Sequence, residues 1–288
     1  RFQQVRATSE ASCAPLQIED YVIQSMPDVS PPKWHLAHIS WFFEAFLLKP
    51  YLPGYKPLNA AYDHLFNSYY ETHSTPFPRV QRGLISRPGV EDVYRFRQHV
   101  DRAMGELLTH PPQQHAAEIM HRVELGLQHE QQHQELLLMD IKHILAQNPL
   151  HPVYRSDLKP APARHNDRVR WHSYAGGVRH IGHAGSGFAF DCETPRHRQF
   201  VEDFQLADRL VSNREYLSFI ADGGYARSEL WLSDGWAHIR QHGWNAPLYW
   251  HREDGGWCEM TLAGLQPLDL EAPVCHISFY EADAYARW

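Results

Sequence analysis

The sequence predicts an α+β protein: a helical bundle followed by an irregular, loop-rich domain. Three observations predict it. Apolar and aromatic residues recur at helical spacing through most of the first 147 positions. A stretch rich in proline and charge, NPLHPVYRSDLKPAPARHNDRVR (148–170), then interrupts all periodicity. Beyond it come short alternating runs, Gly-rich turns and only brief helical patterns. The expected organisation is a bundle over 1–150, a linker over 151–170 and a second domain over 171–288.

A first helix is expected over 11–26. SPPKWHLAHISWFFEAFLL (30–48) predicts a second, with Ser30 as N-cap and Pro31 at the first helical position. Residues 49–89, rich in Pro, Gly, Asn and Tyr, read as a long ordered loop. VEDVYRFRQHVDRAMGELL (90–108) and the long run 113–147 give a third and a fourth helix. In the second domain, Ser212 with Glu215 and Ser278 with Glu281 are capping boxes that each open a helix. The stretch 221–270, with several Trp and Gly, reads as irregular structure. The last helical pattern reaches Trp288 with no stop signal, which predicts a domain incomplete at its C-terminus and continued by further sequence.

Composition narrows the function. Hydrophobic residues make up 43% and charged residues 21%, as in globular proteins. No apolar run approaches the ~20 residues of a membrane span, and no signal peptide opens the chain. The net charge is −7 and no basic stripe is present, which argues against nucleic acid as a partner. Cys13, Cys192, Cys258 and Cys275 are widely spaced and read as reduced thiols, so a cytoplasmic protein is expected.

Chemistry is concentrated in LQHEQQHQELLLMDIKHIL (127–145), which contains H-E-x-x-H. On a helix, His129 and His133 project to one side, about 6 Å apart along the axis. Gln132, Leu125 and Leu136 share that face, whereas Glu130 is turned roughly 100° away. The residues are open to three readings: a metal pair, two satisfied core histidines, or a chance match. A metal needs a third ligand. His143 is about 15 Å along the axis and cannot share it. No H-x-x-G-x-x-H extension follows His133. The better candidate is upstream in KWHLAHISWFFE: His38, with His35 one turn back as a competitor. Three imidazoles with open positions suit zinc, copper or ferrous iron alike.

The motifs SPPKWHLAHISWFFEAFLL, FNSYYE, PRVQRGLISRPGVEDVYRFRQHVD and LQHEQQHQELLLMDIKHIL, in this order, resemble the sulfoxide synthases of ergothioneine biosynthesis, the EgtB family. Residues 172–288 resemble the start of that family's second domain. The resemblance implies a DinB-like four-helix bundle followed by a formylglycine-generating-enzyme-like domain of C-type-lectin-like irregular fold. It implies a non-haem iron(II) enzyme that uses O2. Such an enzyme joins a cysteine-type thiol to the imidazole of Nα-trimethylhistidine (hercynine) and oxidises the sulfur to a sulfoxide.

By match to the family motifs, His38, His129 and His133 would ligate iron(II), leaving positions for thiolate, O2 and the substrate imidazole. Gln132 would contact the histidine-derived substrate. Arg79 and Arg82 would hold the carboxylates of the thiol, cysteine or γ-glutamylcysteine, as guanidinium forks do well. Tyr69 and Tyr70 would be candidate proton donors. Glu130 would not be a general base. Two other readings stay open: an ovothiol-type synthase acting on unmethylated histidine, and an H-E-x-x-H zinc hydrolase. A non-catalytic bundle joined to a binding domain is a third class.

Overall fold

The computed structural model of the chain describes residues 1–70, 75–159, 168–253 and 255–288. Glu71 of FNSYYE and the middle of the expected linker, 160–167, lie outside those residues. The chain divides into two units, Arg1–Arg155 and Ser156–Trp288.

Helix α1 spans Phe2–Cys13, earlier than the expected 11–26. The cause is Pro15, which has no N–H to extend the helical ladder. A 3-10 turn at Ile18–Val22 replaces the rest. Helix α2 covers Pro32–Phe43, with Pro31 as N-cap and Pro32 in the first turn, one residue later than expected. Ser30 is engaged elsewhere: its N–H donates to the Asp140 carboxylate and its Oγ accepts from Arg82, each at 2.9 Å. All twelve residues of α2 are buried, as an element apolar on every side must be. The helical path continues as a π-helical segment, Glu44–Leu48, and a short α3, Lys49–Tyr51.

The loop that follows holds α4, Tyr62–Phe66, and a 3-10 turn at Arg79–Leu84. Helix α5, Val90–Thr109, buries Val93, Phe96, Val100, Met104 and Leu107 along one stripe. Helix α6, Ala116–Ala146, is the longest element. Helix α2 is central and packs against α5, α6 and α1. Gly126 sets how closely α6 approaches α2. A Cβ there would meet Phe43 Cε1 at 2.6 Å and Phe42 Cε1 at 3.0 Å. The absent side chain therefore lets the two helices touch one turn before His129.

The second unit is built from small antiparallel sheets. Strands β1 (Trp171–Tyr174) and β2 (Gly177–Ile181) pair with later partners. Those partners are β3 (His197–Val201), on β2, and β4 (Phe204–Ala207), on β1. Helices α7 (Asn213–Ala221) and α8 (Ser233–His242) come next. Strands β5 (Trp250–Glu253), β6 (Gly256–Thr261) and β7 (Gly264–Pro267) form a meander, and α9 (Phe279–Arg287) closes the order. The expected irregular stretch 221–270 is thus more regular than its Trp and Gly content suggests. The three strands register around turns too short to show in a periodicity reading. Both capping boxes form as expected, with Glu215 N–H donating to Ser212 Oγ and Glu281 N–H to Ser278 Oγ. A core of Tyr216, Phe219, Leu230, Trp231, Ile239 and Trp250 joins the helices to the meander. The architecture, helical first and small-sheet after, is the α+β class that the sequence predicts.

Candidate metal centre

Helix α6 presents His129 and His133 to α2, and α2 presents His38 to both. One nitrogen from each of the three rings lies within 4.8 Å of the other two. The closest pair, His38 Nε2 and His129 Nε2, is 3.3 Å apart. Two nitrogens about 2.0–2.1 Å from one metal ion stand at roughly this separation. His38 is held by its surroundings. Its Nδ1 donates to the Phe66 carbonyl at 2.6 Å. Its ring is stacked between Trp34 (centroids 4.6 Å apart) and Trp41 (5.6 Å). With Nδ1 carrying the proton, Nε2 keeps a lone pair for a ligand bond.

Burial pushes the His129 imidazole down to about 4. Burial, with the neighbouring imidazoles adding to it, holds His38 and His133 well below the ordinary histidine value. All three rings are therefore neutral at neutral pH, the state that binds a metal. His129 Nδ1 is buried and has no hydrogen-bond partner among the described residues. The donor set is neutral, convergent and pre-stacked, and so it fits an ion that prefers nitrogen ligands.

Glu130, the acid of H-E-x-x-H, faces away from this cluster. It is fully buried and accepts from Arg6 Nη1 at 3.0 Å, Ser9 Oγ at 2.6 Å and Arg97 Nη2 at 3.4 Å. Burial alone would raise its carboxyl; Arg6 and Arg97 outweigh that and hold it below the ordinary value. The carboxylate ties α1, α5 and α6 together.

Of the other predicted residues, Arg82 packs on Trp34 and Tyr70 on Trp41, the two indoles that flank His38. Arg82 is buried, its guanidinium 3.4 Å from the centroid of the Trp34 ring. Among the described residues Nη1 finds one acceptor, Ser30 Oγ, and the buried Nε finds none. Burial, reinforced by Arg79, pushes Arg82 down to about 9. Among the described residues no carboxylate pairs with it, an expensive arrangement for a cation unless an anion arrives. Arg79 is exposed and donates to the Asp28 carbonyl. The two arginines sit at i and i+3 of one 3-10 turn, and so share a face.

Tyr70 is partly buried against Trp41 and Phe46, while Tyr69 is exposed and stacks on Tyr70. Their hydroxyls are 3.1 Å apart. Asn67 braces this loop by accepting from the Tyr70 N–H and donating to the Tyr70 carbonyl. Gln132 is exposed, and so is Leu136. The face carrying the two histidines is therefore buried at His129 and open at Gln132 and Leu136.

Residues 157–288 match the family model of the sulfatase-modifying factor enzyme 1-like domain. The hercynine oxygenase of Mycobacterium tuberculosis is 29% identical over 265 residues, covering 91% of this chain and 59% of its own length. That of Mycolicibacterium thermoresistibile is 28% identical over 270 residues, covering 91% and 56%. That of Mycolicibacterium smegmatis is 29% identical over 273 residues, covering 92% and 59%. The chain is similar to these hercynine oxygenases over about nine-tenths of its own length. It spans between half and two thirds of the length of these relatives.

His35, the competitor of His38, does not join the three rings. Its Nδ1 lies 2.9 Å from His133 Nδ1 and its Nε2 lies 2.9 Å from Asp140 Oδ2. Asp140 is a residue of the site that sequence reasoning missed. It sits seven residues after His133, two turns along the same face. A lone acid inside LLLMDIKHIL was the available signal. His143 is outside the cluster and pairs with Ser25.

Proposed function

We propose that this chain carries the iron centre of a hercynine oxygenase: a non-haem iron(II), O2-dependent sulfoxide synthase of ergothioneine biosynthesis. The observation that carries the reading is the convergence of His38, His129 and His133 in a chain that matches three hercynine oxygenases over nine-tenths of its length. The overall balance needs no further reductant. The thiol S–H and an imidazole C–H break and a C–S bond forms. One oxygen atom of O2 ends on sulfur and the other leaves as water.

Iron(II) held by the three imidazoles would supply the redox chemistry with O2 and a Lewis-acidic place for the thiolate. The protein groups prepare that place. Trp34 and Trp41 lock the His38 ring, so its donor atom is positioned before a metal arrives. Arg82, buried and short of an acceptor, would take a substrate carboxylate, with Arg79 beside it on the turn. Gln132, exposed next to His133 on α6, would contact the imidazole substrate. Tyr70, with Tyr69 against it, would deliver a proton from the Trp41 side. The free cysteines, two of them exposed, fit a reducing cytoplasm. No described helix is long and apolar enough to cross a membrane.

The deciding assay uses protein purified without oxygen and loaded with Fe(II). O2 uptake is expected only when a thiol and trimethylhistidine are both present, with a C–S-bonded sulfoxide as product. Running cysteine against γ-glutamylcysteine, and trimethylhistidine against histidine, identifies the thiol and separates the ovothiol-type alternative. No O2 uptake with any pair, or uptake without C–S product, would overturn the proposal. A zinc hydrolase would retain activity with Zn(II) and need Glu130 as base, a role that the Arg6–Arg97 network around Glu130 argues against.

A further inference from the structure

We propose that Asp140 and His35 form a positioning relay that fixes the tautomer of His133 and turns its Nε2 to the metal. The proposal rests on reading His38, His129 and His133 as a metal set.

The relay starts at the Asp140 carboxylate, which can only accept. Its Oδ2 takes the Ser30 N–H at 2.9 Å and faces His35 Nε2 at 2.9 Å. A neutral His35 then carries its proton on Nε2, which leaves Nδ1 as an acceptor. That Nδ1 faces His133 Nδ1 at 2.9 Å, so His133 must donate from Nδ1. The lone pair of His133 is then on Nε2, the atom left to face the cluster. His38 reaches the same tautomer by a shorter route, through the Phe66 carbonyl. A histidine ligand commonly donates its second N–H directly to a carboxylate or carbonyl. Here an entire second imidazole is interposed, and it is buried (3% exposed) with its ring 5.2 Å from that of His133. The relay also has a branch. Ser30, whose N–H donates to Asp140, accepts from Arg82 through Oγ at 2.9 Å. One carboxylate thus braces a metal-facing ring on one side and the anion-seeking guanidinium on the other.

The test reads metal binding and tautomer, not turnover alone. His35→Phe removes the acceptor, whereas His35→Asn keeps an oxygen or nitrogen near the Nδ1 position. Asp140→Leu removes the carboxylate and Asp140→Glu retains one. Cobalt(II) is the probe, titrated without oxygen and followed by its visible ligand-field spectrum. His35→Phe and Asp140→Leu are expected to weaken cobalt(II) binding by about 10- to 100-fold and to change the spectrum. His35→Asn and Asp140→Glu are expected to recover part of both. In metal-free protein, nitrogen NMR of the imidazoles should show His133 protonated on Nδ1 in the parent. That signature should be lost in Asp140→Leu. Circular dichroism and thermal melting identify any variant that has not folded, and for such a pair the conservative variants carry the test. Parent-like affinity and spectrum in folded His35→Phe and Asp140→Leu, or a His133 protonated on Nε2 in the parent, would overturn the relay. If the parent binds no cobalt(II), or His38→Ala leaves binding unchanged, the metal reading itself fails.

Discussion

Glu130 shows how one residue can separate two readings of the same five-letter motif. In a hydrolase of the H-E-x-x-H type the acid faces the metal and activates water. Here it is fully buried against two arginines. Removing it would take away the buried carboxylate that Arg6 and Arg97 share, leaving Arg6 with Asp101 alone and Arg97 with the half-exposed Glu10. Glu130→Ala is therefore expected to lower the stability of the first unit by about 3–5 kcal/mol, read by urea unfolding. Unchanged stability would mean that the network does not exist. Arg82 makes the opposite prediction, because its role waits for a ligand. Arg82→Lys is expected to raise KM for the thiol by about 10- to 100-fold, the worth of a charged hydrogen bond. A lysine cannot rebuild the fork. An unchanged KM for the thiol would remove Arg82 from the substrate site.

Among the elements, the contact of α2 with α6 decides where the three rings meet. Gly126 is its tightest point. Replacing a helix-interior glycine by alanine ordinarily stabilises by about 1 kcal/mol. At this position the new methyl would press on Phe43 at 2.6 Å, in a core where overpacking costs about 1–3 kcal/mol. Gly126→Ala is thus expected to lower the melting temperature and also to weaken metal binding, since it pushes the two helices away from each other within a turn of His129. A raised melting temperature would contradict the close packing. Much at this scale is legible in the residues. The stripes of α5 and α6 and the capping boxes at Ser212 and Ser278 follow from local periodicity and local hydrogen bonds. The start of α2 falls one residue beyond its expected place because Ser30 serves Asp140 and Arg82, partners 110 and 52 positions away. Helix α1 ends early because a single proline outweighs a broad helical pattern.

Taken as a whole, the molecule keeps its metal candidates in the first unit and an independent core in the second. Acid should act on the second unit through Glu215. Two hydrogen bonds from Arg209, joined by the Ser212 cap, hold its carboxyl down to about 2. The ordinary value is about 4.3. The stabilisation is complete above the ordinary value and is lost as pH falls from there toward 2. Trp34 and Trp41 apart, every tryptophan lies in the second unit, so tryptophan fluorescence reports on it. Melting followed by fluorescence is expected to weaken across that pH window, and Glu215→Gln should flatten the dependence. An equal slope in the variant would count against the ion pair.

The sequence by itself determined that His129 and His133 share a side. The 3.6-residue turn fixes the relation of positions i and i+4 wherever the helix goes. It also determined the α+β order, since periodicity and its loss are local properties. Only the tertiary structure decided that His38 meets that pair while His35 stands behind His133, and that Glu130 is spent on two arginines. Those outcomes depend on how far α2 is rotated and how closely it lies on α6. That is a matter of packing between residues some ninety positions apart, which no local pattern encodes.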